Sequence, residues 1–318
     1  MTEMIVLKNL TKRFGSLLAV DDISMTVGKG EVLGFLGPNG AGKSTTMRMV
    51  AGFIEPTSGT AEVAGFDVTR DPVEVKRRIG YLPEGAPTYG DMTPESYLGF
   101  IAGIRGFDGS ERRRRIDGVV AKVELEHVMR QPIETLSKGF KRRVGLAQAL
   151  IHDPKILIMD EPTDGLDPNQ KHQVRTLIRE MAAEKAIIVS THILEEVEAV
   201  CSRAVIIARG RLLADGTPEQ LIARGINHNA VIVAVDSARA EDARREIAAL
   251  QGVAAVDDLG SKDGLRRLRA RPRDGRSIAV EIGELIRARG IPTREMFVER
   301  GQLDEVFRTI TIGGGGHA

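Results

Sequence analysis

The segment Gly37-Pro38-Asn39-Gly40-Ala41-Gly42-Lys43-Ser44-Thr45 constrains this chain more than any other. Its spacing is G-x-x-x-x-G-K-[ST], and it stands between an apolar run, Val32 to Leu36, and a stretch of helical pattern. Glycines at these positions let successive backbone N–H groups close on phosphate oxygens, and a helix opening behind them adds its positive end. Lys43 is placed to reach β- and γ-phosphates, and the Ser44 hydroxyl to ligate Mg²⁺. A glycine-rich turn that matched by chance would leave the lysine unexplained. A loop of this kind needs a strand before it and a helix after it, which places it in a layered α/β fold.

The rest of the chain agrees. Strand signals recur at Met4 to Leu7, Ile156 to Asp160, Ile187 to Ser190 and Ala204 to Ala208. The runs Ile156 to Met159 and Ile187 to Val189 are apolar at every position, the pattern of parallel strands covered on both faces by helices. Residues 1–225 read as one such domain, with a helical insertion over about 94–150 made of helices near 94–105, 110–123 and 138–150. Beyond Gly225 the order is strand 230–235, helix 240–250, strands 253–257 and 265–270, helix 277–289 and strand 293–298. That order predicts a second, smaller α+β domain of ferredoxin-like type over 226–312. The final GGGGHA, residues 313–318, reads as a flexible tail.

Composition removes several functions. With 318 residues there is room for two domains, but a formal net charge of +1, 4% aromatic residues and no Trp give neither a basic field nor stacking platforms for nucleic acid. No run approaches the ~20 apolar residues of a membrane-spanning helix. One cysteine, Cys201, and an N-terminus without the order of a signal peptide predict a cytoplasmic protein, one that serves any membrane process from outside the bilayer.

The apolar strand Ile156 to Met159 ends in Asp160 and Glu161. Strand ends often carry solvated acids, but beside a phosphate loop these two are placed to hold Mg²⁺ and to polarise the water that attacks a γ-phosphate. Three further elements stand in order along the chain. Leu136-Ser137-Lys138-Gly139-Phe140 opens the helical stretch KRRVGLAQAL, where Ser137 can cap the helix and, with the free N–H groups near Gly139, form a second anion site. Gly165-Leu166-Asp167-Pro168 follows the two acids, and Ser190-Thr191-His192 ends the next strand.

Together, in this order and over about the first 225 residues, these elements resemble the phosphate loop, signature, D-loop and H-loop of the ABC ATPase family. The resemblance implies a P-loop NTPase core of ABC type that binds ATP with Mg²⁺ held by Ser44, Glu84 and Asp160. It implies that Glu161 and His192 are catalytic, and that Ser137 and Gly139 bind the γ-phosphate on an opposite copy, giving a head-to-tail homodimer with Asp167 at its seam. Phe14 matches the aromatic position that stacks on adenine; a core phenylalanine is the other reading of the residue, and both stay open.

Three positions in two motifs depart from the family pattern. Glu84 stands in Ile79-Gly80-Tyr81-Leu82-Pro83-Glu84 where Gln is usual, and Lys138 and Phe140 replace Gly and Gln of the signature. With the LDEVF segment at 303–307, these strings are most similar to the branch of gliding-motility-type, sodium- or drug-export and nitrous-oxide-reductase-maturation ATPases. The expectation is an ATP-hydrolysing subunit, peripheral on the cytoplasmic face of the membrane, that powers transport, here export, through permease subunits on a separate chain, with no nucleic-acid partner. The alternative is a soluble ABC-type ATPase switch, against which stand the single cassette and the missing basic patches. A regulator that hydrolyses little is opposed by Glu161 and His192. Arg112 to Arg115 reads as a solvated helix face or as a contact for lipid headgroups or a partner. The Gly- and Pro-rich loop from Gly80 to Asp91 reads as a hinge beside which a permease would dock.

Overall fold

Strands that are apolar on both faces must be covered on both, and this requirement organises the first half of the molecule. In the computed structural model, which describes residues 2–85 and 88–313, every residue of β3 (Val32–Leu36), β7 (Ile156–Asp160) and β8 (Ala186–Thr191) is buried. With β6 (Ile79–Leu82) and β9 (Arg203–Ala208) they form a parallel sheet, and the hairpin strand β10 (Arg211–Gly216) closes it in the order β10-β9-β3-β8-β7-β6.

Alternate residues of these strands face two different covers. Leu33, Phe35, Ile156, Ile158, Ile188, Val205 and Ile207 share a core with Met47 and Val50 of α1 (Lys43–Val50) and with a second, antiparallel sheet. That sheet has the order β2-β1-β4-β5, built from β1 (Glu3–Phe14), β2 (Leu17–Gly28), β4 (Ser58–Val63) and β5 (Phe66–Asp67). Only its Met4 to Leu7 portion was legible as a strand. Register shifts at Leu7/Leu10, Leu10/Lys12 and Lys12/Arg13 break the period-two alternation by which strands are read. Helix α2 (Pro72–Arg78) leads from this sheet into β6, and α6 (Pro168–Ala182) and α7 (Leu194–Val200) lie among the helices of the parallel sheet.

The helical insertion consists of α3 (Pro94–Ile104), α4 (Gly109–Val123) and α5 (Lys138–Leu150). Thr93 caps α3 by accepting from the Ser96 N–H at 3.2 Å with Pro94 at the first turn, and Ser137 caps α5 by accepting from the Phe140 N–H at 3.3 Å. In the basic run on α4, Glu111 pairs with Arg114 and Arg115, and Arg115 stacks on Phe107 at 4.0 Å. Much of that run is therefore spent within its own helix and on its own subdomain.

The chain divides into two compact units, residues 1–217 and 218–318. The division falls before the expected 225/226 because α8 (Pro218–Ile222) packs with α11 (Leu303–Gly313) of the second unit, and a Cβ at Gly225 would touch Val306. In that unit β11 (Val231–Asp236), α9 (Ala240–Ala248), β12 (Val253–Lys262), β13 (Leu265–Pro272), α10 (Ala279–Arg289) and β14 (Thr293–Val298) form an antiparallel sheet ordered β12-β13-β11-β14, a split βαβ pattern. Val231, Val233 and Val235 alternate into a core with Ala243, Ile247 and Ile282 of the two helices. The expected tail, apart from Gly313 at the end of α11, lies outside the described residues.

Candidate functional site

The C-terminal ends of the adjacent parallel strands β3, β8, β7 and β6 open into one region, where layered α/β proteins place their ligands. The segment after β3 wraps into the loop 37–45. Gly40 and Gly42 take positive φ, 78° and 104°, and a Cβ on Gly42 would run into the Ala19 carbonyl, so the glycine there is a steric requirement. Gly37 is bound similarly, with the Ile207 carbonyl against the place of its missing Cβ. Helix α1 then starts without a side-chain cap and without an acid in its first turn, which leaves its opening N–H groups to an anion.

Phe14, Asn39, Gly40, Ala41, Gly42, Lys43, Ser44, Thr45, Glu84, Asp160 and Glu161 all line one cleft of about 580 Å³. Phe14 is 47% exposed, with the Lys12 ammonium 5.0 Å from its ring centre, so it is not a core residue. Lys43 is buried and donates to the carbonyls of Gly37 at 2.7 Å and Pro38 at 3.3 Å. Burial pushes its pKa down, while the carboxylates of Glu161, Asp160 and Glu84 push it back up.

Asp160 is 1% exposed. Its Oδ1 accepts from the Ser190 hydroxyl, whereas its Oδ2 is buried with no hydrogen-bond partner. A buried orphan carboxylate oxygen at the mouth of a phosphate loop is a fitting ligand for a hard cation. Among the described residues no three His, Cys, Asp or Glu side chains gather into a metal site by themselves. A cation here would therefore need oxygens from a bound ligand as well as from the Ser44 hydroxyl and Glu84, which is how Mg²⁺ is commonly held.

Glu161 is buried, adopts φ 50°, and meets the Nδ1 of His192 at 2.9 Å. Burial raises its pKa, and the hydrogen bond and charge of His192, then Lys43, oppose the rise. His192 is exposed and reaches the cleft through Glu161.

Ser137, Gly139 and Asp167 do not line the cleft. Gly139 and Asp167 each meet Gln170 instead: Asp167 accepts from the Gln170 N–H at 2.9 Å, and the Gln170 side chain lies where a Cβ on Gly139 would be. Lys138, one of the departing signature residues, pairs with Asp164 at 2.8 Å, and its stem lies over Gly165. Sequence reasoning missed Arg209, Leu17, Leu18 and Ala19 in the cleft lining. It also missed Arg142, whose guanidinium sits beneath the turn that carries Asp160 and Glu161. Its position on the buried stripe of α5 with Gly139, Arg143 and Leu146 is the one sequence signal that could have marked it.

The family described as ABC transporter matches residues 20–164. The chain is 38% identical over 221 residues to the "Probable multidrug ABC transporter ATP-binding protein YbhF" of Escherichia coli (strain K12), a match covering 69% of this chain and 38% of that protein's length. It is 36% identical over 233 residues to the Nod factor export ATP-binding protein I of Ralstonia nicotianae (strain ATCC BAA-1114 / GMI1000), covering 73% of each. Among solved structures, the dimeric structure of MJ0796, a bacterial ABC transporter cassette, superposes with a TM-score of 0.63 at 25% identity, covering 68% of this chain and 99% of that one.

Proposed function

The chain belongs to the ABC transporter family, and on that premise we propose that it is the ATP-binding and ATP-hydrolysing subunit that powers export by a membrane-spanning permease on a separate polypeptide. The observation that carries the reading is the cleft at the strand ends, where a buried lysine, an unpartnered carboxylate oxygen and a Glu–His pair surround one glycine loop. In this reading the loop N–H groups and Lys43 hold the phosphates of ATP, and Phe14 stacks on the adenine.

Asp160 Oδ2, Ser44 and Glu84 are the groups that would hold Mg²⁺, which when bound supplies neutralisation of phosphate charge. Glu161 takes the proton of the attacking water. His192 keeps the Glu161 carboxylate in place and registers the γ-phosphate.

One copy does not complete the site. Ser137 and Gly139 are the γ-phosphate ligands of a second copy turned head to tail, with Asp167 at the seam; that the MJ0796 cassette is dimeric supports a site made of two copies. Among the described residues no helix is long and apolar enough to cross a membrane; in this reading the permease is another chain and this subunit sits on the cytoplasmic face. The relatives are named for multidrug transport and for Nod factor export, which favours transport over a soluble switch.

The test is Mg²⁺-dependent release of phosphate from ATP by the purified chain, with kcat followed against pH. Glu161 works as a carboxylate, and burial lifts its pKa, so the acid limb of the profile is expected above the ordinary glutamate value of 4.5. His192 lowers that pKa, so the activity remaining in His192→Ala should show a limb at still higher pH. A limb at or below 4.5 in both proteins would contradict the role of Glu161. Glu84 is exposed. Glu84→Gln should therefore bind ATP within about fivefold of the parent, the ~1 kcal/mol scale of one exposed charge. Loss of ATP binding on titration would show that Glu84 does something other than share a cation.

A further inference from the structure

Arg142 lies in the second turn of α5 and is 5% exposed. Taking a guanidinium out of water is costly unless its donors find acceptors in good geometry, and those of Arg142 find main-chain carbonyls. Nη1 donates to Pro83 O at 3.0 Å and Nε to Pro162 O at 3.2 Å, while Nη2 donates to the carbonyls of Asp160 and Glu161. The four acceptors belong to two segments: the turn after β7 that carries Asp160 and Glu161, and the residue immediately before Glu84. Further along the same helix, Gln148 Nε2 donates to Tyr81 O at 2.9 Å, tying α5 a second time to the end of β6.

The backbone at Glu161 needs such support. Its φ of 50° is a conformation that a non-glycine residue holds only when its surroundings impose it. A planar fork of five donors can bind carbonyls that diverge from one another, which a lysine ammonium cannot do. The helix that provides this fork is also the one that begins at Ser137.

We propose that Arg142 is a positioning residue for hydrolysis: it fixes Glu161 through its own carbonyl and Glu84 through the carbonyl of Pro83 just before it, and joins both to the helix that presents Ser137. The proposal rests on the ATPase reading above. Arg142 is not among the residues lining the cleft, so its effect falls on the placement of the acting groups and not on the grip on the nucleotide.

The full chain carrying Arg142→Met, which keeps bulk without donors, or Arg142→Lys, which keeps the charge, is assayed for ATP hydrolysis with Mg²⁺. Rates are expressed per chain that binds a fluorescent ATP analogue, so that misfolded protein does not count. Arg142→Met is expected to lose about 10- to 100-fold in kcat, the scale for removing a partner that orients a ligating or acting group. KM for ATP should stay within about threefold, because ground-state binding is untouched. Arg142→Lys should fall between the two. If the Met variant yields no binding-competent chain, the Lys variant carries the test by the same split, a lower kcat with KM kept. A kcat equal to the parent's, or a KM rising in step with the loss of kcat, overturns the proposal. Failure of the parent chain itself to hydrolyse ATP would instead strike the ATPase reading, and Arg142's role with it.

Discussion

Lys43→Ala is expected to weaken ATP binding about 10- to 100-fold, matching the ~1.5–3 kcal/mol of a hydrogen bond to a charged group. The side chain is 6% exposed and folded into its own loop, where its ammonium holds the Gly37 and Pro38 carbonyls. Burial works against that charge, and Glu161, Asp160 and Glu84 sustain it. Phosphates entering the cleft would exchange two neutral acceptors for anionic ones, a gain available to the lysine and to nothing an alanine provides. Titration calorimetry with ATP reads the change directly, and equal affinity in the two proteins would remove Lys43 from the phosphate site.

Glu161→Gln is expected to separate binding from chemistry. Glutamine is close to isosteric, can still accept from His192, and leaves the Glu161 N–H to Ser190 O bond in place. It cannot take a proton from water, and loss of a general base lowers kcat by about 10²- to 10⁴-fold. ATP should therefore bind and persist, and a dimer closed on ATP should accumulate. Light scattering with and without ATP checks this, since an ATP-loaded variant that stays monomeric would speak against the two-copy site.

The parts of this site that were legible in the sequence are those whose chemistry demands contiguous residues. A backbone that wraps a phosphate needs its glycines and lysine at fixed spacing, so residues 37–45 announce themselves, and the apolar run 156–159 ending in two acids gains meaning beside them. What escaped depends on contacts distant in sequence. Arg142 is a cation on a helix next to Lys141 and Arg143, and only the carbonyls of Pro83, Asp160, Glu161 and Pro162 reveal why it is buried. Leu17, Leu18 and Ala19 reach the cleft because β2 pairs with β1, a pairing obscured by register shifts. The unit boundary moved to 217/218 because a five-residue helix leaves too little periodic pattern to show which core it joins. Gathering Ser137, Gly139 and Asp167 at a second copy's nucleotide was implied by family resemblance alone, because nothing in one chain's sequence states what another copy supplies.

If a single nucleotide is held between two copies, the most direct measurement is the position of Ser137 in the ATP-bound Glu161→Gln protein, determined by crystallography or electron microscopy. The prediction is a Ser137 hydroxyl within about 3 Å of a γ-phosphate oxygen, on the nucleotide gripped by Lys43 of the other copy. An assembly with ATP in the cleft and Ser137 beyond hydrogen-bond reach of every γ-phosphate would contradict it.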